Sequence, residues 1–169
     1  LRRQAYDRPR RPLVVATPKS MLRLKAASSA VEDFTSGTFR PVIGEEHLPD
    51  AAAVDRVLLC SGKVYYDLLA HRAKTGDART AIVRLEQLYP IDVDGLAEAV
   101  APYGDAELVW VQEEPANQGA WSFIRLGLGD RLGRELRGVS RPAAASPAAG
   151  SSKKHASEQV ELVEEAFAR

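Results

Sequence analysis

Glu113 and Glu114 stand side by side at the end of an apolar run, in the stretch "VQEEPANQGAW" from Val111 to Trp121. Two carboxylates in a cleft are acid–base machinery when their environments push their proton affinities apart. The same two residues also make an ordinary solvated strand end. A second chemical candidate is Ser61-Gly62-Lys63, where backbone N–H groups at a helix start and a lysine would hold an anion. It is not a phosphate loop, which needs a longer glycine-rich turn. The bland alternative there is a tight turn with a surface lysine. Cys60 and the histidines His47, His71 and His155 complete the inventory. A nucleophile needs a base beside it, and nothing in the spacing ties an imidazole to Cys60 or to a serine. No His/Asp/Glu cluster has metal-ligand spacing. On the residues alone there is no catalytic set and no metal site. His71 falls late on a helix and is expected on its surface.

The elements that position these residues follow from periodicity. "RVLLCSG" is an uninterrupted apolar run stopping at Gly62, as in strands buried on both faces. Val64, Tyr65, Leu68 and Leu69 then mark one face of a helix that Gly76 ends. "TAIVRLE" is a second buried strand. Val93, Leu96, Ala97 and Val100 form a helical stripe with Asp92 as N-cap. "AELVWVQ" is a third strand, and Trp121, Ile124 and Leu128 mark a third stripe. "ELRGVS" is a weaker fourth strand, and "RPAAASPAAGSSKK" leads to a last helix carrying Val160, Val163 and Phe167 on one line. Alternating strands and helices predict an α/β fold, a mostly parallel sheet with helices on both faces. Residues 1–53 read as a connecting segment with a first short strand at 39–43, part of the same domain, and residues 54–169 as the α/β body.

Composition narrows the function classes. Apolar residues make up 45% and charged residues 27%, as in soluble globular domains. Basic and acidic side chains balance at 23 each, so bulk charge gives no case for nucleic acid or an anionic membrane. No apolar run approaches the roughly 20 residues of a membrane span. The lone cysteine excludes a disulfide framework, and cytoplasm is the default. The opening "LRRQAY" resembles the end of a helix begun earlier, so the chain reads as a piece of something longer.

Six stretches in order, "TPKSMLR" (17–23), "DFTSGTF" (33–39), "SGKVYYDL" (61–68), "IVRLEQLYP" (82–90), "WVQEEPANQGAW" (110–121) and "ASPAAGSSKKHASEQ" (145–159), resemble the C-terminal, transketolase-like α/β domain of one family. That family is the thiamine-diphosphate-dependent first component of 2-oxoglutarate dehydrogenase. The similarity is strongest to its actinobacterial multifunctional form, the 2-oxoglutarate decarboxylase type. The resemblance implies decarboxylation of 2-oxoglutarate in the tricarboxylic acid cycle, with succinyl transfer to a lipoyl-bearing succinyltransferase component. It implies a homodimer, with thiamine diphosphate and magnesium bound outside this fragment. It gives this domain dimer contacts, framing of the active-site approach and acetyl-CoA binding. Gln87 matches the family's activator site, whereas Thr38 stands where a lysine is expected and Asp94-Gly95 where paired arginines are expected. Those departures predict weak or absent acetyl-CoA binding unless Arg40, Lys19 or the N-terminal arginines supply the charge. In the family, the stretch holding Glu113, Glu114 and Asn117 is a strand end and turn, so these residues are read as organisers. A stand-alone module binding a nucleotide-like anion at Ser61-Gly62-Lys63, and a small enzyme with a glutamate-based site, are the two other readings.

Overall fold

The computed structural model describes every residue except Leu1, Asp7, Pro9 and Pro49. The chain divides into two compact units, Leu1–Arg40 and Pro41–Arg169. In the first, a short helix α1 (Arg2–Tyr6) precedes 3-10 turns at Lys19–Arg23 and Lys25–Ala27 and a second short helix, α2 (Val31–Thr35). Pro18 lies just ahead of the first 3-10 turn. None of the described side chains of this unit is buried.

The second unit is an α/β layer structure. Its elements are β1 (Val42–Ile43), β2 (Arg56–Cys60), α3 (Val64–Thr75), β3 (Thr80–Leu85), α4 (Val93–Val100), β4 (Glu107–Pro115), α5 (Trp121–Gly127), α6 (Gly129–Leu132), β5 (Leu136–Arg141) and α7 (Ser152–Phe167). The sheet has five strands in the order β1-β3-β2-β4-β5; β1 is antiparallel to β3 and the rest are parallel. Successive strand residues point to opposite faces, which sorts the apolar runs into two cores. Val57, Leu59, Val83, Leu85, Leu108 and Trp110 meet Leu96 and Val100 of α4 and Ile124 of α5. Leu58, Cys60, Ile82, Val109, Val111 and Val139 meet Val64 and Leu68 of α3 and Leu162, Val163, Ala166 and Phe167 of α7. Burying one such Leu or Val side chain stabilises by about 1.5–3 kcal/mol, so an unbroken apolar run profits on both sides.

Helix ends follow the expected chemistry. Asp92 Oδ1 accepts from the Gly95 N–H at 3.0 Å, capping α4. Gly76 takes φ +69°, the left-handed turn that ends α3. The alignment expected for α7 is corrected at one position: Val160 is exposed. The inward stripe runs through Leu162, Val163, Ala166 and Phe167, and Gln159 occupies the inward place one turn earlier. Its amide accepts from Arg141 Nη2 at 2.9 Å. At the opposite end of the sheet, Arg56 donates to Glu107 Oε2 at 2.7 Å and to the Ala166 carbonyl at 3.0 Å, and also reaches the Ala168 carbonyl. A cation at these last carbonyls is favoured by the helix dipole.

The short strand β1 leaves part of the β3 edge uncovered, and a buried ion pair covers it. Glu45 Oε2 accepts the Ile82 N–H at 2.8 Å, and Arg72 of α3 donates to both Glu45 oxygens at 2.5 and 3.1 Å and to the Thr80 carbonyl at 3.0 Å. Their side chains are 3% and 6% exposed. Burial pushes the Glu45 carboxyl up, but Arg72 and the N–H groups of Ile82 and His47 outweigh it and hold the group below its ordinary value. Glu45→Gln leaves Arg72 buried without its counter-charge and is expected to cost about 3–5 kcal/mol, read from the urea midpoint at neutral pH. Because the folded carboxyl titrates below its ordinary value of 4.5, its contribution is complete above that pH and disappears as pH falls through the folded value. The gap between wild type and Glu45→Gln should therefore narrow at acid pH; a gap that widens there contradicts this assignment.

Candidate functional site

In open parallel sheets, ligands bind beyond the carboxyl ends of the strands, where the strand order reverses. Here β2 leads to β3 on one side and β4 returns to its other side, so the reversal lies between β2 and β4. The structure brings the two stretches singled out by their chemistry to this point. Gly62 adopts φ +74° at the turn out of β2. Lys63 then places its Nζ 2.8 Å from Asp67 Oδ2 and 2.7 Å from Glu113 Oε1. Burial works against the Lys63 charge, but the two carboxylates outweigh it and hold the ammonium above its ordinary range. Asp67 also accepts from Gln159 Nε2 at 2.9 Å. One lysine facing two carboxylates makes a locally negative cluster that repels phosphate. The anion-binding reading of Ser61-Gly62-Lys63 is therefore corrected: the lysine is neutralised from within.

The glutamates part company. β4 continues through both of them to Pro115, which pairs with Arg141 across a register shift, so the strand outruns its expected end. Glu113 is half-buried against Lys63, while Glu114 is exposed. The residue that builds the turn is Gln112, which the sequence reading did not single out. It is 4% exposed. Its Oε1 accepts from Trp110 Nε1 at 3.1 Å and from the Trp121 N–H at 2.8 Å. Its Nε2 donates to the Gln118 carbonyl at 2.7 Å and to the Pro115 carbonyl at 3.2 Å. One amide thus ties both ends of the turn from β4 to α5. Gly119 has φ +67°, and a Cβ there would lie 3.0 Å from the Gln112 amide, so both backbone and space demand glycine. The only hint in the sequence is a glutamine inside an apolar strand. Asn117 extends the turn outward: its Nδ2 donates to the Ala144 carbonyl at 3.0 Å and its Oδ1 accepts the Ala144 N–H at 3.1 Å.

The other candidates make contacts of their own. Gln87 Nε2 donates to the Pro90 carbonyl at 2.8 Å, just past a cis Tyr89-Pro90 bond. Lys19 and Arg40 belong to the first unit, at its first 3-10 turn and its last residue, and both are exposed. Thr38 is exposed, Asp94 is in the first turn of α4, and Gly95 gives its N–H to the cap. His71, expected on the surface, is half-buried with its ring 4.8 Å from that of Phe167. His47 Nε2 lies 3.4 Å from the Tyr65 hydroxyl, and His155 Nδ1 lies 3.0 Å from Arg141 Nη2. Cys60 is fully buried, and burial pushes its thiol far above the ordinary range, so it offers no thiolate. Among the described residues, no three His, Cys, Asp or Glu side chains gather where they could hold a metal ion. With Lys63 already neutralised, these residues do not fit a magnesium-bound diphosphate. Among them, too, no helix is long and apolar enough to cross a membrane.

A family model described as 2-oxoglutarate dehydrogenase C-terminal matches residues 28–167. The chain belongs to this family. A multifunctional 2-oxoglutarate metabolism enzyme of Mycolicibacterium vanbaalenii is 49% identical to it over 175 residues, which take in 99% of this chain and 14% of that protein. A 2-oxoglutarate dehydrogenase E1/E2 component of Corynebacterium glutamicum is 48% identical, over 99% of this chain and 14% of its own length. A 2-oxoglutarate dehydrogenase E1 component of Azotobacter vinelandii is 46% identical, over 99% and 18%. The chain spans less than a fifth of the length of these relatives. The match takes in both the Lys63 cluster and the Gln112 turn, so the edge network lies wholly within the 2-oxoglutarate dehydrogenase C-terminal domain.

In this domain, Gln112→Ala should be the most damaging change at the carboxyl edge. It strands the buried Trp110 Nε1 and Trp121 N–H, each costing about 1–3 kcal/mol. Glu113→Gln should cost about 1–3 kcal/mol through its lysine, and Glu114→Gln about 0.5 kcal/mol or less. Denaturant midpoints rank the three. Equal losses for Glu113→Gln and Glu114→Gln would contradict the asymmetry seen here.

Proposed function

We propose that this domain works as the C-terminal part of a longer polypeptide, a thiamine-diphosphate-dependent 2-oxoglutarate dehydrogenase first component or 2-oxoglutarate decarboxylase. The observation that carries the reading is the family match across residues 28–167, joined to near-half identity along 99% of the chain with relatives named for 2-oxoglutarate metabolism. The whole protein decarboxylates 2-oxoglutarate in the cytoplasm. It passes the succinyl group to the lipoyl arm of a succinyltransferase component and works as a homodimer. Thiamine diphosphate and magnesium, which supply the electron sink for decarboxylation, are held by segments other than this one.

The part of this domain is to offer a rigid edge. Gln112 and the Lys63 cluster fix the loops beyond β2 and β4 through side-chain hydrogen bonds and ion pairs. A rigid support at the approach to a reaction centre keeps neighbouring groups within the small tolerances that catalysis requires. The glutamates act in that support: Glu113 through Lys63, Glu114 at the solvent side, and Asn117 through the Ala144 backbone.

Acetyl-CoA regulation is the finer question. Gln87, Arg40 and Lys19 are the candidate contacts, with Thr38, Asp94 and Gly95 standing where the family carries basic residues. Loss of two charged phosphate contacts weakens binding by about a hundredfold or more. Calorimetry on the full-length polypeptide is expected to show acetyl-CoA binding far weaker than in a relative with those basic residues. Micromolar binding would show that other residues replace them.

Activity separates the domain from the whole. With thiamine diphosphate, magnesium and 2-oxoglutarate, the full-length polypeptide is expected to release carbon dioxide, and residues 1–169 alone to release none above a buffer control. In the full-length polypeptide, Glu113→Gln and Glu114→Gln should keep turnover near wild type per folded molecule. A thousandfold loss in a normally folded Glu113→Gln or Glu114→Gln would make that carboxylate catalytic and overturn the supporting role given to it.

A further inference from the structure

Arg141 closes β5 with a side chain only 8% exposed. Its Nη2 donates to Gln159 Oε1 at 2.9 Å and lies 3.0 Å from His155 Nδ1. A guanidinium carries donors only, so the imidazole Nδ1 must accept. The ring hydrogen then sits on Nε2, and the ring is neutral. A second proton would set two donors and two cations face to face at this distance. The Arg141 guanidinium has few alternatives, since its buried Nε makes no hydrogen bond and the Glu158 carboxylate stands 3.6 Å from it.

The charges around His155 do little to soften that clash. On α7, Lys153 and Lys154 precede it in the first turn. Glu158, one turn on, already faces Lys154 at 3.5 Å as well as Arg141. From α3, Asp67 reaches this group only through Gln159 and is itself engaged by Lys63. From β4, Glu113 is engaged by the same lysine. Imidazole is the side chain whose charge ordinarily changes between about pH 5 and pH 8.

We propose that His155 is a proton-operated latch, whose neutral ring fastens the first turns of α7 to Arg141 at the end of β5 and whose protonation releases them. The contact exists only with the neutral ring, so it is present at high pH and lost as the ring takes its second proton. Gln159 carries the effect onward, because it bridges Arg141 to Asp67 and so to the Lys63–Glu113 pair between β2 and β4. The latch thus joins the helix to the edge where the strand order reverses.

Hydrogen exchange with mass spectrometry on the full-length polypeptide tests it at about pH 8 and about pH 5. After correction for intrinsic rates, the amides of residues 154–160 should exchange about tenfold faster at the lower pH, the scale of one lost hydrogen bond to a charged group. Core amides of β4 should not change. His155→Asn keeps an acceptor oxygen near the place of Nδ1 and takes no proton, so protection should stay at its high-pH level at both values. His155→Phe removes the acceptor, so protection should be low at both. Exchange in wild type that ignores pH overturns the proposal. So does a pH response that survives in His155→Asn, or full protection in His155→Phe. Because His155 is exposed, these substitutions spare the core.

Discussion

A parallel sheet covered on both faces has no side to give to water, and that constraint organises the second unit. Each central strand sends alternate residues into two separate cores. Polar groups are left with the strand ends and the sheet edges, and at each of these the chain meets them with a specific side chain. At the β3 edge, where β1 covers only two residues, Glu45 and Arg72 take up the exposed N–H and carbonyl groups. At the amino ends, Arg56 joins Glu107 to the last carbonyls of α7, and Glu107 also accepts from Arg137 at 2.6 Å. At the carboxyl ends, Gln112 fastens one loop from inside and the Lys63 cluster fastens the other.

These arrangements have unequal energetic meaning. The Glu45–Arg72 pair is deeply buried, and its worth lies mainly in the penalty of breaking it, since a stranded interior charge costs more than the pair contributes over an apolar replacement. The Lys63 cluster is more exposed, and its effect is positional. By holding Glu113 and Asp67 on one ammonium, it joins β4 to α3, and Gln159 extends the connection to α7 and β5. The carboxyl edge therefore sets one ammonium against two carboxylates, all three engaged with one another. Cys60 and the histidines are placed separately: the thiol is buried among apolar side chains, and each imidazole is met by a different element.

What local chemistry controls was legible in the residues. The strands β2 to β5, the helices α3 and α4 with their Gly76 and Asp92 boundaries, and the closely buried sheet all follow from patterns within a dozen neighbours. Backbone hydrogen bonding and side-chain periodicity act over that range. The α7 stripe shows where this breaks down. Val160 has the right spacing from Val163 and Phe167 but lies at the margin of the inward face, and Arg141 draws the polar Gln159 into the place beside them. Apolar spacing alone cannot reveal that a buried cation from another strand awaits a partner.

By itself, the sequence determined the α/β class, the two-faced burial of the strands and the family, because each is written in short-range pattern and in stretches of ordered similarity. Only the tertiary structure decided the partners of the polar residues. Glu45 meets Arg72 across 27 positions, and Lys63 meets Glu113 on a different strand. It also decided that Gln112, not the two conspicuous carboxylates beside it, holds the turn together. A charge or an amide in sequence states only that it needs a partner; which one it finds depends on the order in which strands are laid side by side, and that order is set by the packing of the whole sheet.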